Sequence, residues 1–493
     1  MWRLKSIDAI LETAERRPLS RSLGPIQLML LGIGSVIGTG IFVLTADAAQ
    51  LAGPGMMVSF CIAAAVCAAT ALCYAEIASM VPVSGSAYTY TYAVMGEVCA
   101  WLVGWALILE YAVSASAVAV GWSGYLTGLL ENSFGLHLPA AITESPSAGG
   151  IIDLPAVAIS LMCTVLLVRG TRESATVNAV LVAIKIAILL VFTALAIPAI
   201  HDTNFHPFAP TGARGVVNAA SSIFFAYVGF DAVSTAAEET RDPQRNVPIG
   251  LIGSLVICTL IYLAVAGTAI GAIGAQPVHG AAGALLDPGS REMADRCAQI
   301  ASGAPMPLVC SKEALAYALR EIGHPLVSGV MGLVAFIALP TVIITMIFGQ
   351  TRIFFVMARD GLLPQVLCRI HDRYQTPHVV TWVTGAIITV GAAFFPVGQL
   401  ADVSNSGTLF AFLLVAVALL VLRRKDPGRV RHFRTPMAWV IAPLAIVGCV
   451  VLFFFLPLAA KWVFPIWSAI GLVFYAAYGF RHSRMRPGAV LED

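Results

Sequence analysis

The chain is poor in charge: Asp, Glu, Lys and Arg make up only 11% of its 493 residues. Soluble domains carry about a quarter charged residues, and this shortage excludes a water-soluble globule. The 29 Lys and Arg nearly balance the 27 Asp and Glu, so there is no basic surplus that would favour nucleic-acid binding. Hydrophobic residues make up 58% of the chain. The composition therefore predicts a membrane protein with many spanning helices.

The chain also lacks the motifs of common enzymes and pumps. All nine histidines fall in predicted loops or at the ends of apolar stretches, so none can act deep in the bilayer. The patterns HExxH, GxSxG and GxxxxGK[ST] are missing, which disfavours a metalloprotease, a serine hydrolase and an ATP-driven pump. No Cys-x-x-Cys pair or Cys/His cluster indicates a metal. We therefore expect no enzyme, no catalytic residue and no metal site.

Twelve apolar stretches follow one another along the chain, most of them near the roughly 20 residues that a membrane-spanning helix needs. They cover residues 25–50, 55–80, 97–130, 152–169, 175–199, 214–240, 247–274, 327–358, 379–396, 402–422, 436–457 and 460–480. Residues 1–17 are polar, with apolar residues at helical spacing, which predicts an interfacial helix and not a signal peptide.

Lysine and arginine are distributed unevenly between the two sides of these spans. If the N-terminus is cytoplasmic, the inner segments hold 22 of the 29 and the outer segments hold 6, and Lys185 alone lies inside a span. The positive-inside rule then predicts that both termini are cytoplasmic. Cys297 and Cys310 share the outer loop between spans 7 and 8, where a disulfide and two free thiols are equal alternatives.

Span 1 carries four glycines at mid-membrane depth: Gly32, Gly34, Gly38 and Gly40. One interpretation is close helix packing, because Gly34 and Gly38 form a GxxxG face. The other is a broken helix, whose free N–H and C=O groups suit the carboxylate and ammonium of an amino acid. Span 1 by itself leaves both interpretations open.

Span 6 favours the broken helix, because Gly229 and Asp231 interrupt another apolar stretch. The two candidate breaks lie five spans apart, so the helices that contain them cross the membrane in opposite directions. This arrangement is typical of secondary transporters built from inverted repeats. The predicted units are a cytoplasmic amphipathic segment at 1–20, a first repeat of helices 1 to 5 at 21–210, a second repeat of helices 6 to 10 at 211–424, and helices 11 and 12 with a cytoplasmic tail at 425–493.

Lys185 and Glu110 are ionisable residues within spans, where each costs about 2.5 to 3.5 kcal/mol unless it pairs or faces water. Lys185 lies in span 5 with apolar neighbours on both sides, and we interpret it as functional. Glu110 in span 3 stays open between a wall of the substrate pocket and a structural partner.

Four ordered blocks resemble the amino acid-polyamine-organocation superfamily and, within it, bacterial relatives of the cationic amino acid transporter branch. The blocks lie at Gly34–Phe42, Pro82–Tyr88, Phe225–Glu239 and Gly349–Pro364, and the resemblance covers nearly the whole chain. It implies an all-α polytopic membrane protein of 12 transmembrane helices. The implied fold is the 5+5 inverted-repeat transporter fold (LeuT-like), with helices 1 and 6 broken and two further helices at the C-terminus.

By this resemblance, the unwound centres of helices 1 and 6 bind an amino acid. The N–H groups of Thr39 and Gly40 would hold its carboxylate, and Phe225 would also cap the pocket. Backbone carbonyls would hold its ammonium group, namely those of Val36, Ile37, Phe225 and Val228. The full set of implied substrate-binding residues is Val36, Ile37, Gly38, Thr39, Gly40, Phe225, Ala226, Val228 and Gly229, with Glu110 as the open candidate.

The resemblance also implies the coupling ion. In proton-coupled members a lysine on helix 5 stands where sodium-coupled relatives hold an ion, and Lys185 matches that position. A buried ammonium is costly, so the lysine can release and regain a proton as the cavity opens to each side. We expect the proton and no other cofactor. Pro340 departs from the pattern and leaves the contribution of helix 8 open.

We expect a proton-coupled amino acid importer of a bacterial inner membrane that works by alternating access. An amino acid/amine exchanger on the same fold is the nearest alternative, and a receptor that binds amino acids without moving them is another. The expected partners are the amino acid and the lipid bilayer, and not nucleic acid. The sequence leaves open the side chain of the substrate, the oligomeric state and whether a small single-helix membrane protein joins the chain.

Overall fold

The computed structural model describes residues 4–5, 7–8, 23–83, 85–170, 175–302 and 306–485. Within these ranges the protein is helical, and its β-structure is limited to isolated bridges. The interfacial helix predicted for residues 1–17 lies outside the described residues except at 4–5 and 7–8.

The first half of the chain contains eight helices that matter for the site. They are α1 (Pro25–Val36), α2 (Thr39–Phe42), α3 (Leu44–Ala52), α4 (Met56–Met80), α5 (Ser86–Met95), α6 (Glu97–Phe134), α7 (Leu154–Val168) and α8 (Ala175–Ala196). Residues at the N-termini of two of these helices favour the start of the helix. Pro25 occupies the first position of α1, where its missing N–H costs nothing, and the Asp153 carboxylate caps α7 by accepting from the Ala156 N–H at 3.0 Å.

The second half begins with another interrupted helix and continues with longer ones. The helices are α9 (Gly212–Ile223), α10 (Ala232–Thr235), α11 (Pro243–Ile273), α12 (Arg291–Ala301), α13 (Ala314–Glu321), α14 (Pro325–Arg359), α15 (His378–Phe394), α16 (Val397–Lys425), α17 (Ala438–Phe455) and α18 (Leu458–Phe474). Helix α14 continues through Pro340.

Nine helical segments among the described residues are long and apolar enough to cross a membrane. Three shorter apolar helices, α1, α7 and α15, fall where the sequence predicts spans 1, 4 and 9. The protein is therefore an all-helical, multi-pass membrane protein, while the count of twelve spans stays a prediction.

Helix α6 packs against α14, α15 and α16, and α11 packs against α1 and α4. Helix α8 reaches α1, α11 and α14. The two interrupted helices, α1–α2–α3 and α9–α10, therefore lie between larger groups of helices, with buried side chains on several sides. This position brings their breaks to the centre of the molecule.

The long loop between α11 and α14 packs on the end of α3. Gln50 is fully buried, and its amide nitrogen donates to the carbonyls of Val278 (2.8 Å) and Leu286 (3.0 Å). The Gln50 amide oxygen accepts from the Val278 N–H at 2.8 Å. In the same loop the structure joins Cys297 and Cys310 in a disulfide, with a Cα–Cα distance of 5.6 Å.

Candidate functional site

The helix of span 1 is broken at the predicted glycines. Helix α1 stops at Val36, because Ile37 (φ −74°, ψ 92°) and Gly38 (φ −142°, ψ −148°) leave the helical conformation. Helix α2 resumes at Thr39. The first N–H groups of a helix have no carbonyl partner within it, and here they belong to Thr39 and Gly40. The broken-helix interpretation of span 1 is confirmed.

The helix of span 6 is broken as well. Helix α9 ends at Ile223, a tight turn follows over Phe224–Tyr227, and Val228 is extended before α10. Gly229 has a φ of +108°, a conformation that residues with a side chain rarely adopt. A Cβ atom at Gly229 would also lie 3.1 Å from Ser35 on α1. The conformation therefore favours glycine here, and the space beside it is tight.

The two breaks lie against each other. A Cβ atom added to Gly40 would lie 2.3 Å from the Cα atom of Ala226, which is closer than real Cβ contacts. The backbone of α2 therefore touches the backbone of the turn after α9. Ala226 and Gly229 belong to this contact region. Of the predicted binding residues at the breaks, Ile37, Ala226 and Gly229 do not line the cavity beside it.

A small cavity of about 10 Å³ lies where the two breaks meet. That volume holds roughly one water molecule. Six of the predicted binding residues line it: Val36, Gly38, Thr39, Gly40, Phe225 and Val228. The hydroxyl of Thr39 is fully buried, and no group in the described residues forms a hydrogen bond with it, so it is available to a bound molecule.

Lys185 connects α8 to the broken end of α1. Its ammonium donates to the carbonyls of Gly34 (3.2 Å) and Ile37 (3.1 Å), and the side chain is completely buried. These carbonyls lie in the last turn of α1 and just beyond it, where helical hydrogen bonding ends. The side chain that the sequence singles out therefore contacts the break of helix 1.

Three of the four carbonyls assigned to the substrate ammonium have partners within the protein. The Val36 carbonyl accepts from the Tyr262 hydroxyl at 2.8 Å, and the Phe225 carbonyl accepts from the Val228 N–H at 3.1 Å. The Ile37 carbonyl accepts from Lys185. A carbonyl oxygen has two lone pairs, so each can accept a second bond, and the ammonium assignment stays a prediction.

Glu110 lies apart from the residues that line the cavity. It is buried on α6, one helical turn before Ser114, which does line the cavity. The Ser114 hydroxyl is 2.7 Å from that of Ser404, and the Ser404 hydroxyl also donates to the backbone carbonyl of Glu110 at 3.4 Å. The Thr408 hydroxyl, near the Glu110 carboxyl, donates to the Ser404 carbonyl at 3.2 Å. Glu110 is therefore linked to the cavity wall through Ser404 and is not itself part of that wall.

Sequence reasoning missed part of the cavity wall: Ser35, Ser114, Val118, Val342 and Met346. Ser114 and Val118 lie on one face of α6, and Val342 and Met346 lie on one face of α14, in each case at i, i+4 spacing. The small residues after Glu110 indicated a close approach of helices. No signal in the sequence separates Val342 and Met346 from lipid-facing residues.

The sequence is similar to known permeases over nearly its whole length. The sequence model of a family described as amino acid permease matches residues 23–475. The branched-chain amino acid permease BcaP of Bacillus subtilis is 42% identical, with 98% of this chain and 99% of the relative aligned. A methylthioribose transporter of the same organism is 39% identical over 98% of each chain. The chloroplastic cationic amino acid transporter 9 of Arabidopsis thaliana is 34% identical, over 87% of this chain and 72% of the relative.

These matches agree with the broken helices and with the resemblance to the cationic amino acid transporter branch. Transport of amino acids, and not catalysis, is the activity common to the family and to most of these relatives. The chain belongs to the amino acid permease family of the amino acid-polyamine-organocation superfamily.

Proposed function

We propose that the chain imports a neutral, aliphatic amino acid together with a proton. The observation that carries this proposal is the meeting of two broken helices at a cavity whose outer walls are apolar. The exposed N–H groups of Thr39 and Gly40 would bind the carboxylate of the substrate. Carbonyls at the same breaks would bind its ammonium group.

The cavity wall favours an aliphatic side chain over a cationic one. Val118, Val342 and Met346 face the space beyond the two backbone breaks, and they offer contact area without a hydrogen-bonding group. The buried carboxylate of Glu110 is not part of this wall. The similarity to a permease named for branched-chain amino acids supports the same choice.

Lys185 is the proposed coupling residue. Its contacts with Gly34 and Ile37 join α8 to α1, so a change in its protonation would alter how firmly the two helices are held together. Alternating access would follow if one group of helices moves against the other when this link is weakened. The proton gradient would then supply the energy for uptake.

We further propose twelve membrane spans and two cytoplasmic termini in the cytoplasmic membrane of a bacterium. The distribution of 22 of 29 basic residues on one side supports this orientation. Bacterial relatives that align over nearly their full length support the source.

Methylthioribose is a second candidate substrate, because a relative 39% identical is named for its transport. It has neither a carboxylate nor an ammonium group, so the free N–H and C=O groups at the two breaks would have no charged partners. An amino acid would therefore bind the cavity through its charged groups, whereas methylthioribose would have to bind without them.

Uptake into sealed vesicles tests the proposal. Labelled leucine, alanine, arginine and methylthioribose are offered to purified, reconstituted protein, with and without an inward proton gradient. We expect leucine uptake to exceed arginine uptake and to accelerate with the gradient. Leucine uptake that depends only on amino acids loaded inside would instead establish exchange. Binding without any uptake would establish a receptor.

A further inference from the structure

A second cavity, of about 240 Å³, lies at the start of α15, remote from the substrate cavity. Its lining residues are Arg369, Ile370, His371, Asp372 and His378. None of them lines the substrate cavity. The loop that forms it is fixed to the end of α7, because the Thr376 hydroxyl donates to the Val168 carbonyl at 2.7 Å.

The polar groups of this cavity are mainly hydrogen-bond donors. The Nδ1 atom of His371 accepts from the N–H groups of Arg373 (3.1 Å) and Tyr374 (3.4 Å), which places the ring proton of a neutral imidazole on Nε2. The Nδ1 atom of His378 is buried, and no described residue forms a hydrogen bond with it. Arg369 adds a guanidinium with five N–H bonds. Such a set suits a ligand rich in acceptors.

The charge around the cavity favours an anion. Among the lining residues, the charge of Arg369 offsets that of Asp372, and the two imidazoles add N–H donors. Arg373 lies over the ring of Tyr374 at 5.5 Å, next to the cavity, and Arg169 follows the residue that Thr376 contacts. The N–H groups at the start of α15 point the positive end of that 17-residue helix toward the same region. Guanidinium and helix N-terminus are both suited to phosphate oxygens.

The surroundings indicate a lipid as the source of the phosphate. Ile370, which lines the cavity, is 48% exposed. Val366, four residues earlier, is 64% exposed, and Trp382, near the start of α15, is 46% exposed. Helix α15 is apolar and corresponds to predicted span 9. Basic residues at the end of a span, flanked by exposed tryptophan and aliphatic side chains, are typical of the headgroup depth of a bilayer.

We propose that this cavity binds the phosphate group of an anionic phospholipid. Arg369 would contact the phosphate oxygens, and His371 and His378 would donate further hydrogen bonds. The acyl chains would lie along Ile370 and Trp382. Only the choice of leaflet rests on the proposed function, because the orientation given there makes it the cytoplasmic one. Soluble phosphate shares the chemistry but not the apolar contacts.

Thermal unfolding of the purified full chain in detergent tests this site. Phosphatidylglycerol is expected to raise the unfolding temperature in a concentration-dependent way, since a ligand of the folded state stabilises it, and phosphatidylcholine is not. Arg369→Gln should weaken the apparent affinity for phosphatidylglycerol roughly tenfold, the size of one lost charge-assisted contact. The matched control Arg373→Gln should weaken the affinity less than Arg369→Gln does, because Arg373 lies next to the cavity without lining it. Native mass spectrometry of bound phosphatidylglycerol on Arg369→Gln and His378→Gln supplies a second readout.

Three outcomes overturn the proposal. Equal loss in Arg369→Gln and Arg373→Gln would show diffuse attraction to a basic surface. An equal stabilisation by inorganic phosphate would assign the cavity to a soluble anion and withdraw the lipid. Equal responses to phosphatidylglycerol and phosphatidylcholine would remove anion recognition. None of these measurements involves transport, so their failure is distinct from a failure of the proposed function.

Discussion

At the scale of single residues, the closest approach in the site depends on Gly40. A methyl group there would lie 2.3 Å from the Cα atom of Ala226, so α2 and the turn after α9 would have to separate. We expect Gly40→Ala to weaken binding of labelled leucine by the purified protein at least tenfold, which corresponds to a loss of roughly 1.4 kcal/mol of binding free energy.

Gly38→Ala is the matched control for this experiment. A Cβ atom at Gly38 would lie 3.6 Å from Val342, an ordinary contact distance, and the φ of −142° at Gly38 lies outside the left-handed region that favours glycine. The control should therefore keep the helix pairing and lose less affinity. Equal affinities in the two variants would contradict the contact between the breaks as the basis of the site.

Glu110 also gives a prediction at this scale. Because Glu110 does not line the cavity, Glu110→Gln should change the affinities for arginine and alanine by the same factor. Competition binding with both amino acids on the purified variant measures this. A selective loss of arginine binding would place the carboxylate in contact with substrate.

At the scale of helices, Lys185 is the link whose removal is most informative. Lys185→Ala deletes the contacts from α8 to the carbonyls of Gly34 and Ile37. We expect leucine affinity to stay within about threefold and the acceleration of uptake by an inward proton gradient to disappear. Binding on purified protein and uptake at matched and unequal pH are measured on the same preparation.

Lys461→Ala is the control for the loss of a lysine. Its ammonium donates to the Phe454 carbonyl at an exposed position far along the chain from the breaks, so its removal should leave the gradient response intact. If Lys185 is instead only structural, breaking its buried contacts costs about 3 to 5 kcal/mol, and poor expression or lost binding would result. Undiminished gradient-driven uptake would defeat both accounts.

At the scale of the whole molecule, the proposed orientation can be tested by labelling. Ala282 in the loop between α11 and α14 and Gly428 in the loop between α16 and α17 are both exposed. In a background without Cys61, Cys99 and Cys368, Ala282→Cys should react with an impermeant thiol reagent in intact cells. Gly428→Cys should react only after permeabilisation, and the reverse pattern would invert the topology.

The sequence predicted those parts of the site that are marked by a residue type unusual within an apolar span. Gly38 and Gly229 indicated the breaks because two glycine-interrupted apolar spans lie five spans apart. Lys185 was found because burying an ammonium within a span is costly. Val342 and Met346 could not be found in this way, since an aliphatic residue is equally suited to lipid, core and pocket. The position of Glu110 depends on how α6 is rotated against its neighbours, which only the packing of the whole molecule determines.

The contacts of Lys185 have a consequence for what proton loss would change. A neutral amine keeps two N–H bonds, enough to reach both Gly34 and Ile37. Deprotonation would therefore leave N–H donors for these two hydrogen bonds and remove the attraction between a full positive charge and the partly negative carbonyl end of α1. The coupling step would then weaken the link between α8 and α1 without breaking it. The two helices would stay aligned, so that the amine could accept a proton again.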